Sequence, residues 1–459
     1  MKKLKKSLAL LLTAVLVLGM LTACGSKKDQ PAAKDGETNT DQDAGGKDNG
    51  GDKADTPETA GNEKVTLRVV TTMGGTDPNA SKYQELVKEF EAANPNIRIQ
   101  DESAVANEEW KAQIIADFSL NNEPDVIQFF TEATANDLVK MGKFVTLEEM
   151  RAYNPEIAGD TSDGALQATK SLVDGVNYAV PTTGIWEALF CNTDLFEKYN
   201  LELPTDWDKL ETAIKTFKEN GIVPIAISLN QIPHYLIEHL MMTASTRDEY
   251  TQIPDTAPAT WTAGLDMVKT LRDMGAFPVD TDTIDNETAE ALFKDKGAAM
   301  IVNGSWFANG IEATDTTAVM AFPTIPGGHK EDGMGIAGFT SGFYITKQAW
   351  DNPAKREAAV KFVLANTSND QILKYWGGNG VCSVPVPDGY VDGLGLNPLQ
   401  AKGTEFAASI TKPVCPTDAR IAGEPWQTLI NSIVGISTGD KSSADSINEM
   451  LTIYKENQQ

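Results

Sequence analysis

From residue 65 onward the chain alternates short strand-like stretches with helix-like ones, and this alternation limits its fold more than any other feature. Val65, Leu67 and Val69 alternate with polar residues, the period of a strand. Tyr83, Leu86, Val87 and Phe90 then recur at the spacing of one helical face. Asn94-Pro95 closes that helix, and Ile97 and Ile99 open another strand. Trp110, Ile114 and Phe118 share a helical face, and Pro124-Asp125 introduces a short apolar strand over 126–130. Thr205 is a good N-cap for a helix carrying Trp207, Leu210, Ile214 and Phe217, with Gly221 just past its end. Strands are expected at 222–227, 298–302 and 343–346. Asn352-Pro353 opens a helix with Pro at its first position, and 425–456 reads as helical with a break near Gly439. Strands and helices in this order imply α/β layers with mostly parallel sheets.

About 400 residues carry this pattern, more than one hydrophobic core of about 250–300 residues accommodates, so two domains are expected. What precedes them is different. Lys2, Lys3, Lys5 and Lys6 form a basic start, and residues 7–23 are uncharged and apolar but short for a bilayer span of about 20 residues. Such a segment reads as a signal peptide. Leu21-Thr22-Ala23-Cys24-Gly25 looks like a bacterial lipobox, in which cleavage leaves a diacylated Cys24 as the new N-terminus. The alternative is an ordinary signal peptide with a chance cysteine. Residues 1–23 are therefore expected to be a lipoprotein signal peptide. Residues 24–62, rich in Gly, Asp, Lys and Thr, are expected to be a disordered tether, since they cannot bury enough apolar surface to offset ordering entropy. The predicted location is the extracytoplasmic face of the cell membrane, where each buried acyl CH2 contributes about 0.8 kcal/mol.

A formal net charge of -26 argues against nucleic acid or an anionic membrane face as partner. Besides Cys24, the cysteines Cys191, Cys382 and Cys415 make no disulfide scaffold; Cys382 and Cys415 could bridge, and Cys191 reads as a buried thiol.

No catalytic motif stands out. GISTGDKS (435–442) has the wrong glycine and lysine spacing for a phosphate loop, and GFTSG (338–342) has its Ser one place off a nucleophile elbow. The three histidines, His234, His239 and His329, lack zinc-site spacing. Asp280, Asp282 and Asp285 lack the glycine of a calcium loop and read as a solvated loop. Carboxylates are plentiful enough for a glycosidase pair, but nothing marks one. No metal or cofactor is implied.

Seven segments in one order carry a resemblance. They are YQELVKEFEAANPNIRI (83–99), PDVIQFF (124–130) with LVKMGKFVTL (138–147), LFCNTDLFEKYNLELPTDWDKL (189–210), LFKDKGAAMIVNGSW (292–306), AGFTSGFYITKQA (337–349), REAAVKFVLANTSND (356–370) and GVCSVP (380–385). In this the chain resembles the extracellular solute-binding proteins of ABC transporters, in the sugar-binding group that includes maltose-binding protein. Cys191 stands where the family has Tyr, which bears on packing. The resemblance implies a two-lobed, periplasmic-binding-protein-like fold (type II) with a ligand cleft between hinged lobes. It places lobe 1 at 63–180 plus 325–372 and lobe 2 at 181–322 plus 373–459. The implied function is capture of a carbohydrate and delivery to the transmembrane subunits of an ABC permease driven by a separate ATPase.

A sugar cleft needs aromatic plates and fixed hydrogen-bonding groups. Of the eight tryptophans, Trp110, Trp207 and Trp261 fall at apolar helical positions and read as core, and Trp350 as either. Trp186, Trp306, Trp376 and Trp426 lie near Gly or Pro at the edges of elements and are candidate plates; each has burial at an element start as its alternative. Trp306 and Trp426 resemble the stacking tryptophans of the second lobe in this family. Polar candidates in loops that face the family's cleft are Asp77, Glu132, Glu187, His234 and Tyr235, any of which could equally be solvated surface. Two other functions remain open: binding of a non-sugar solute such as a polyamine, phosphate ester or peptide, and a lipid-anchored enzyme acting on glycans.

Overall fold

A computed structural model describes residues 64–376 and 380–458. The expected signal peptide, Cys24 and the tether over 24–62 lie outside the described residues. In chain order the strands are β1 (Val65–Val70), β2 (Ile97–Asp101), β3 (Val126–Phe130), β4 (Val180–Pro181), β5 (Ile185–Asn192), β6 (Val223–Ala226), β7 (Ala298–Gly304), β8 (Thr317–Met320), β9 (Met334–Gly338), β10 (Ser341–Ile345) and β11 (Lys412–Val414). The helices that matter below are α1 (Ala80–Ala93), α2 (Glu108–Ser119), α3 (Trp207–Glu219), α4 (His234–Ala244), α5 (Ala259–Met274), α6 (Asn286–Lys294), α7 (Pro353–Thr367) and α8 (Asn369–Trp376).

Local sequence accounts for these elements. In α1 the residues Tyr83, Leu86, Val87 and Phe90 are buried, and Phe90 meets Phe362 of α7 edge-on at 5.2 Å. The cap of α3 is Asp206, whose carboxylate accepts from the Lys209 N–H; Thr205, the expected cap, lies one residue outside. A carboxylate there also favours the positive end of the helix dipole. Burying Trp207, Leu210, Ile214 and Phe217 on one face of α3 stabilises it by about 1.5–3 kcal/mol per side chain. Asn352 caps α7 through the N–H groups of Ala354 and Lys355, with Pro353 at the first position. The C-terminal region is three helices, Glu424–Ile430, Ile433–Thr438 and Ser443–Glu456, so it breaks at Asn431-Ser432 as well as at the left-handed Gly439.

The strands form two sheets. The first runs β2-β1-β3-β10-β4 and the second β11-β9-β5-β7-β6, with β8 also on β5. Both are mixed rather than mostly parallel. β1 is parallel to β2 and β3, but β10 runs antiparallel to β3 and β4. In the second sheet β5 is antiparallel to β7, β8 and β9. The cause is topological: β5 and β10 are entered directly from the other sheet, and so run against their new neighbours. Each sheet has its own core. Leu67, Val69, Val126, Phe343 and Phe362 pack on the first; Leu189, Cys191, Leu240, Trp261 and Met300 pack on the second. The molecule is thus an α/β protein of two lobes.

The chain crosses between sheets at 182–184, from β4 to β5, and at Phe339-Thr340, from β9 to β10. The second crossing falls later than expected. The family resemblance places residues 325–338 in lobe 1, yet Ile325, Met334 and Ile336 are buried in the second core and β9 pairs with β5. The crossings lie side by side, with Ile185 opposite Gly338, and Gly184 bridges to Val381 of a third passing segment. Glycine permits this closeness. A β-carbon on Gly184 would come within 2.7 Å of the Gly338 carbonyl oxygen, and one on Gly380 within 2.2 Å of the Gly184 oxygen. Cys191, Cys382 and Cys415 are all free thiols, so the Cys382–Cys415 bridge is not formed.

Candidate ligand-binding cleft

A cavity of about 540 Å³ lies where loops from both sheets meet the crossing segments. Its walls include Met73, Asp77 and Phe130 from the first sheet's side, Glu187, Tyr235 and Trp306 from the second, and Thr182, Gly184 and Ser341 from the crossings. The volume suits a small solute, since ligand pockets run to roughly 300–1,000 Å³.

Asp77 is held by the turn after β1. Gly74 begins that turn because a β-carbon there would strike the Ser103 carbonyl at 2.2 Å. The Asp77 carboxylate accepts from the Asn79 N–H at 2.8 Å. Burial outweighs that bond and raises its pKa to about 6. Glu132 follows β3 and is buried; one of its oxygens accepts no hydrogen bond, and burial, with Asp418 beside it, pushes its pKa well up. Glu187 sits on β5 opposite Gly304 of β7. It too is buried with an unpartnered oxygen, and burial and Asp418 push its pKa well up.

Behind Glu187 lies His239, with Nδ1 at 3.8 Å from the carboxyl. Burial lowers the His239 pKa to about 4 and pushes that of Glu187 well up, and both shifts work against an ion pair here. Nδ1–H instead donates to the Tyr235 carbonyl at 2.7 Å. Burial likewise lowers the pKa of His234, at the start of α4, and its Nδ1 has no partner.

Two aromatic side chains face the cavity together. The Tyr235 and Trp306 rings are 5.5 Å apart at 57°, and both side chains are half-buried. Six of the nine expected site residues therefore line one cavity: Asp77, Glu132, Glu187, His234, Tyr235 and Trp306. Trp186 and Trp426 do not. Trp186 is fully buried, lying 5.9 Å from Phe190 and 5.4 Å from Phe406. The side chain alternation of β5 points Glu187 to the cavity and so turns Trp186 into the core. Trp426 is buried in the second core, while its neighbour Gln427 lines the cavity. The side chain of Trp376, at the end of α8, lies outside the described residues.

Asp418 is the lining residue that the sequence hid. It sits in an irregular loop after β11, where no periodicity marks it. Its N–H donates at 2.8 Å to Glu238, a fully buried carboxyl on α4. The Ala133 N–H donates to the Ala419 oxygen at 3.0 Å, tying this loop to the first sheet's side of the cleft. Lys111 also lines the cavity, where it pairs with Glu108 at 2.7 Å and covers the Phe130 ring at 4.8 Å. Among the described residues no group of three or more His, Cys, Asp or Glu is arranged to hold a metal ion.

Comparison with known proteins agrees with this architecture. The family model of bacterial extracellular solute-binding proteins matches residues 74–371. An ABC transporter extracellular-binding protein of Pyrococcus horikoshii is 27% identical over 195 residues, which span 40% of this chain and 43% of that relative. A binding protein of Brucella abortus is 24% identical over 254 residues, or 54% of this chain and 60% of the relative. These matches thus span less than two thirds of either relative. Solved structures show the same fold along nearly their whole length. A chitin oligosaccharide binding protein superposes with a TM-score of 0.73 at 18% identity, over 85% of this chain and 98% of that one. Maltose-bound MalE3 of T. maritima superposes with a TM-score of 0.69 at 18% identity, over 86% and 100%. With its matched segment, its two crossed lobes and its lined cleft, this chain belongs to the bacterial extracellular solute-binding proteins.

Proposed function

We propose that the protein captures a carbohydrate outside the membrane and delivers it to an ABC permease whose ATPase is a separate subunit. The observation that carries this is the pairing of the Trp306 and Tyr235 rings with buried polar side chains on one cavity wall. An aromatic face covers the apolar C–H side of a sugar ring and excludes water from neighbouring hydrogen bonds. The named ligands of the similar folds, maltose and a chitin oligosaccharide, support the same class. Asp77, Glu132, Glu187, His234 and Tyr235 are the proposed polar contacts, and Trp306 the stacking plate. Trp376 remains a proposed contact on the strength of the family resemblance alone.

In this reading lobe 1 comprises 63–181 with the chain from Ser341 to 372, and lobe 2 comprises 185–338 with 373–459. The lobes close over the sugar about the glycine-packed crossings, a hinge motion. Cys24 carries the lipid that holds the protein at the extracytoplasmic face of the cell membrane. Replacing Cys24 with Ala should move the protein from the detergent phase to the aqueous phase; detergent partitioning of the variant would contradict lipidation there.

A thermal-shift screen against mono- and oligosaccharides tests the binding function. A ligand at a hundred times its Kd adds about 2.7 kcal/mol to stability. At least one sugar should raise the melting temperature and be recovered uncleaved. Stabilisation by non-sugar solutes only would overturn the proposal, and cleavage products would favour a glycan-active enzyme.

A further inference from the structure

Among the described residues the cavity is lined by eight carboxyl side chains and a single lysine, Lys111. Lys111 is already paired with Glu108. Of the carboxyls, Glu290 is paired with Lys294 at 3.1 Å, and Glu109 and Glu287 are exposed to water. Glu132 and Glu187 are different. Each is more than nine-tenths buried, lines the cavity and holds an oxygen with no hydrogen-bond partner. Asp418 stands beside both as a charge neighbour. Buried polar atoms are nearly always satisfied, so orphaned oxygens at a cavity wall mark where a ligand's donors go.

The surroundings leave that role to the ligand. Behind Glu187, α4 presents His239 and Glu238, and Glu238 also has an oxygen without a partner. Tyr235 and His234 flank the group on the same helix, and Tyr250 lies behind it. The nearby cations face other groups. Arg420 lies over the Tyr250 ring at 5.0 Å and donates to the Thr251 carbonyl, Lys330 acts on His239, and Lys111 on His234. The Tyr235 and Trp306 rings complete the wall, and aromatic faces attract cations.

We infer that the carbohydrate taken by this cleft carries a protonated amine, an amino sugar with its nitrogen free, seated among Glu132, Glu187 and Asp418. The inference rests on the carbohydrate reading of the cleft and narrows it. The hydroxyls of a neutral sugar donate to such oxygens but bring no charge to offset the carboxyl cluster. An ammonium supplies three donors and the missing charge in one group. Without ligand, burial pushes the pKa values of Glu132 and Glu187 up and so favours their protonated forms. A cation arriving beside them displaces protons, because an opposite charge favours the ionised carboxylate. Binding therefore releases protons to the buffer, whereas binding of a neutral sugar leaves these carboxyls protonated.

The test is calorimetric titration of the mature protein with two probes of equal length, a β-1,4-linked glucosamine tetramer and its fully N-acetylated counterpart. Buffers of different ionisation enthalpy are used, below the pH at which the amines titrate. The free-amine tetramer should bind at least about tenfold more tightly than the acetylated one, as a charge-assisted contact implies, and should release protons. Glu132→Gln and Asp418→Asn, each checked by its melting curve, should narrow the preference. Equal or tighter binding of the acetylated tetramer would overturn the inference while leaving the carbohydrate reading intact, and so would absence of binding by the free amine. Tight binding of spermidine with no binding of either tetramer would overturn both.

Discussion

The six-membered ring of Trp306 lies directly over Gly304, so close that a β-carbon at 304 would come within 2.1 Å of Cζ3 and Cη2. Two residues of turn fold the indole back over the end of β7, which fixes its face beside Tyr235. Gly304→Ala should therefore displace the ring without removing it. Overpacking costs about 1–3 kcal/mol, so the melting temperature should fall, and sugar affinity should fall roughly tenfold. A melting loss with unaltered affinity would show that the ring position does not matter to binding.

Trp186 has the opposite expectation. It is fully buried between Phe190 and Phe406 and touches no ligand in the proposed site. Trp186→Ala should cost about 3–5 kcal/mol of stability by denaturant unfolding. The fraction that stays folded should bind sugar nearly as well as the parent.

These two tryptophans show how far the sequence could be read. Strand β1 and the buried face of α1 follow from periodicity, because side chain spacing reports directly on which face meets a core. Trp306 and Trp186 sit in similar local contexts, beside glycine at the edge of a strand. Only the register of β5 against β7, which turns Glu187 to the cavity and Trp186 away, separates them. Asp418 was invisible because its position depends on a bond to Glu238, 180 residues earlier in the chain. The crossing strands were harder still. β9 (MGIAG) carries no strand-like alternation in its sequence, and its place in the second sheet is set by pairing with β5, a tertiary fact.

Asn309 Nδ2 donates to Asn79 Oδ1 at 2.9 Å, joining the turn after β7 to the start of α1 across the cleft mouth. A hydrogen bond contributes about 1 kcal/mol net, so Asn309→Ala should weaken sugar binding about fivefold. The unliganded variant should also show a larger radius of gyration by small-angle scattering. An unchanged radius together with unchanged affinity would remove this contact from the closing motion.

His239 should give the fold a measurable acid sensitivity. Its pKa falls from 6.5 to about 4 on burial, so the unfolded chain binds the extra proton first as pH drops. Stability from this group is complete above about 6.5 and is lost as pH falls toward about 4, by up to about 3 kcal/mol. Glu132, Glu187 and Glu238, with raised pKa values, act in the opposite sense and lose stability as pH rises. The difference between the parent and His239→Gln isolates the histidine. Denaturant unfolding across this range should show the parent losing more stability than the variant; parallel curves would mean that folding does not lower the His239 pKa.

Sugar stacking on Trp306 is tested most directly by calorimetric titration of the parent and Trp306→Ala with the sugar that most raises the parent's melting temperature. Truncating an aromatic anchor of this kind costs about 2 kcal/mol or more, so the variant should bind roughly thirtyfold more weakly while its own melting temperature drops little. Unaltered affinity in the variant, with or without a loss of stability, would contradict a sugar ring seated on this indole in the cleft.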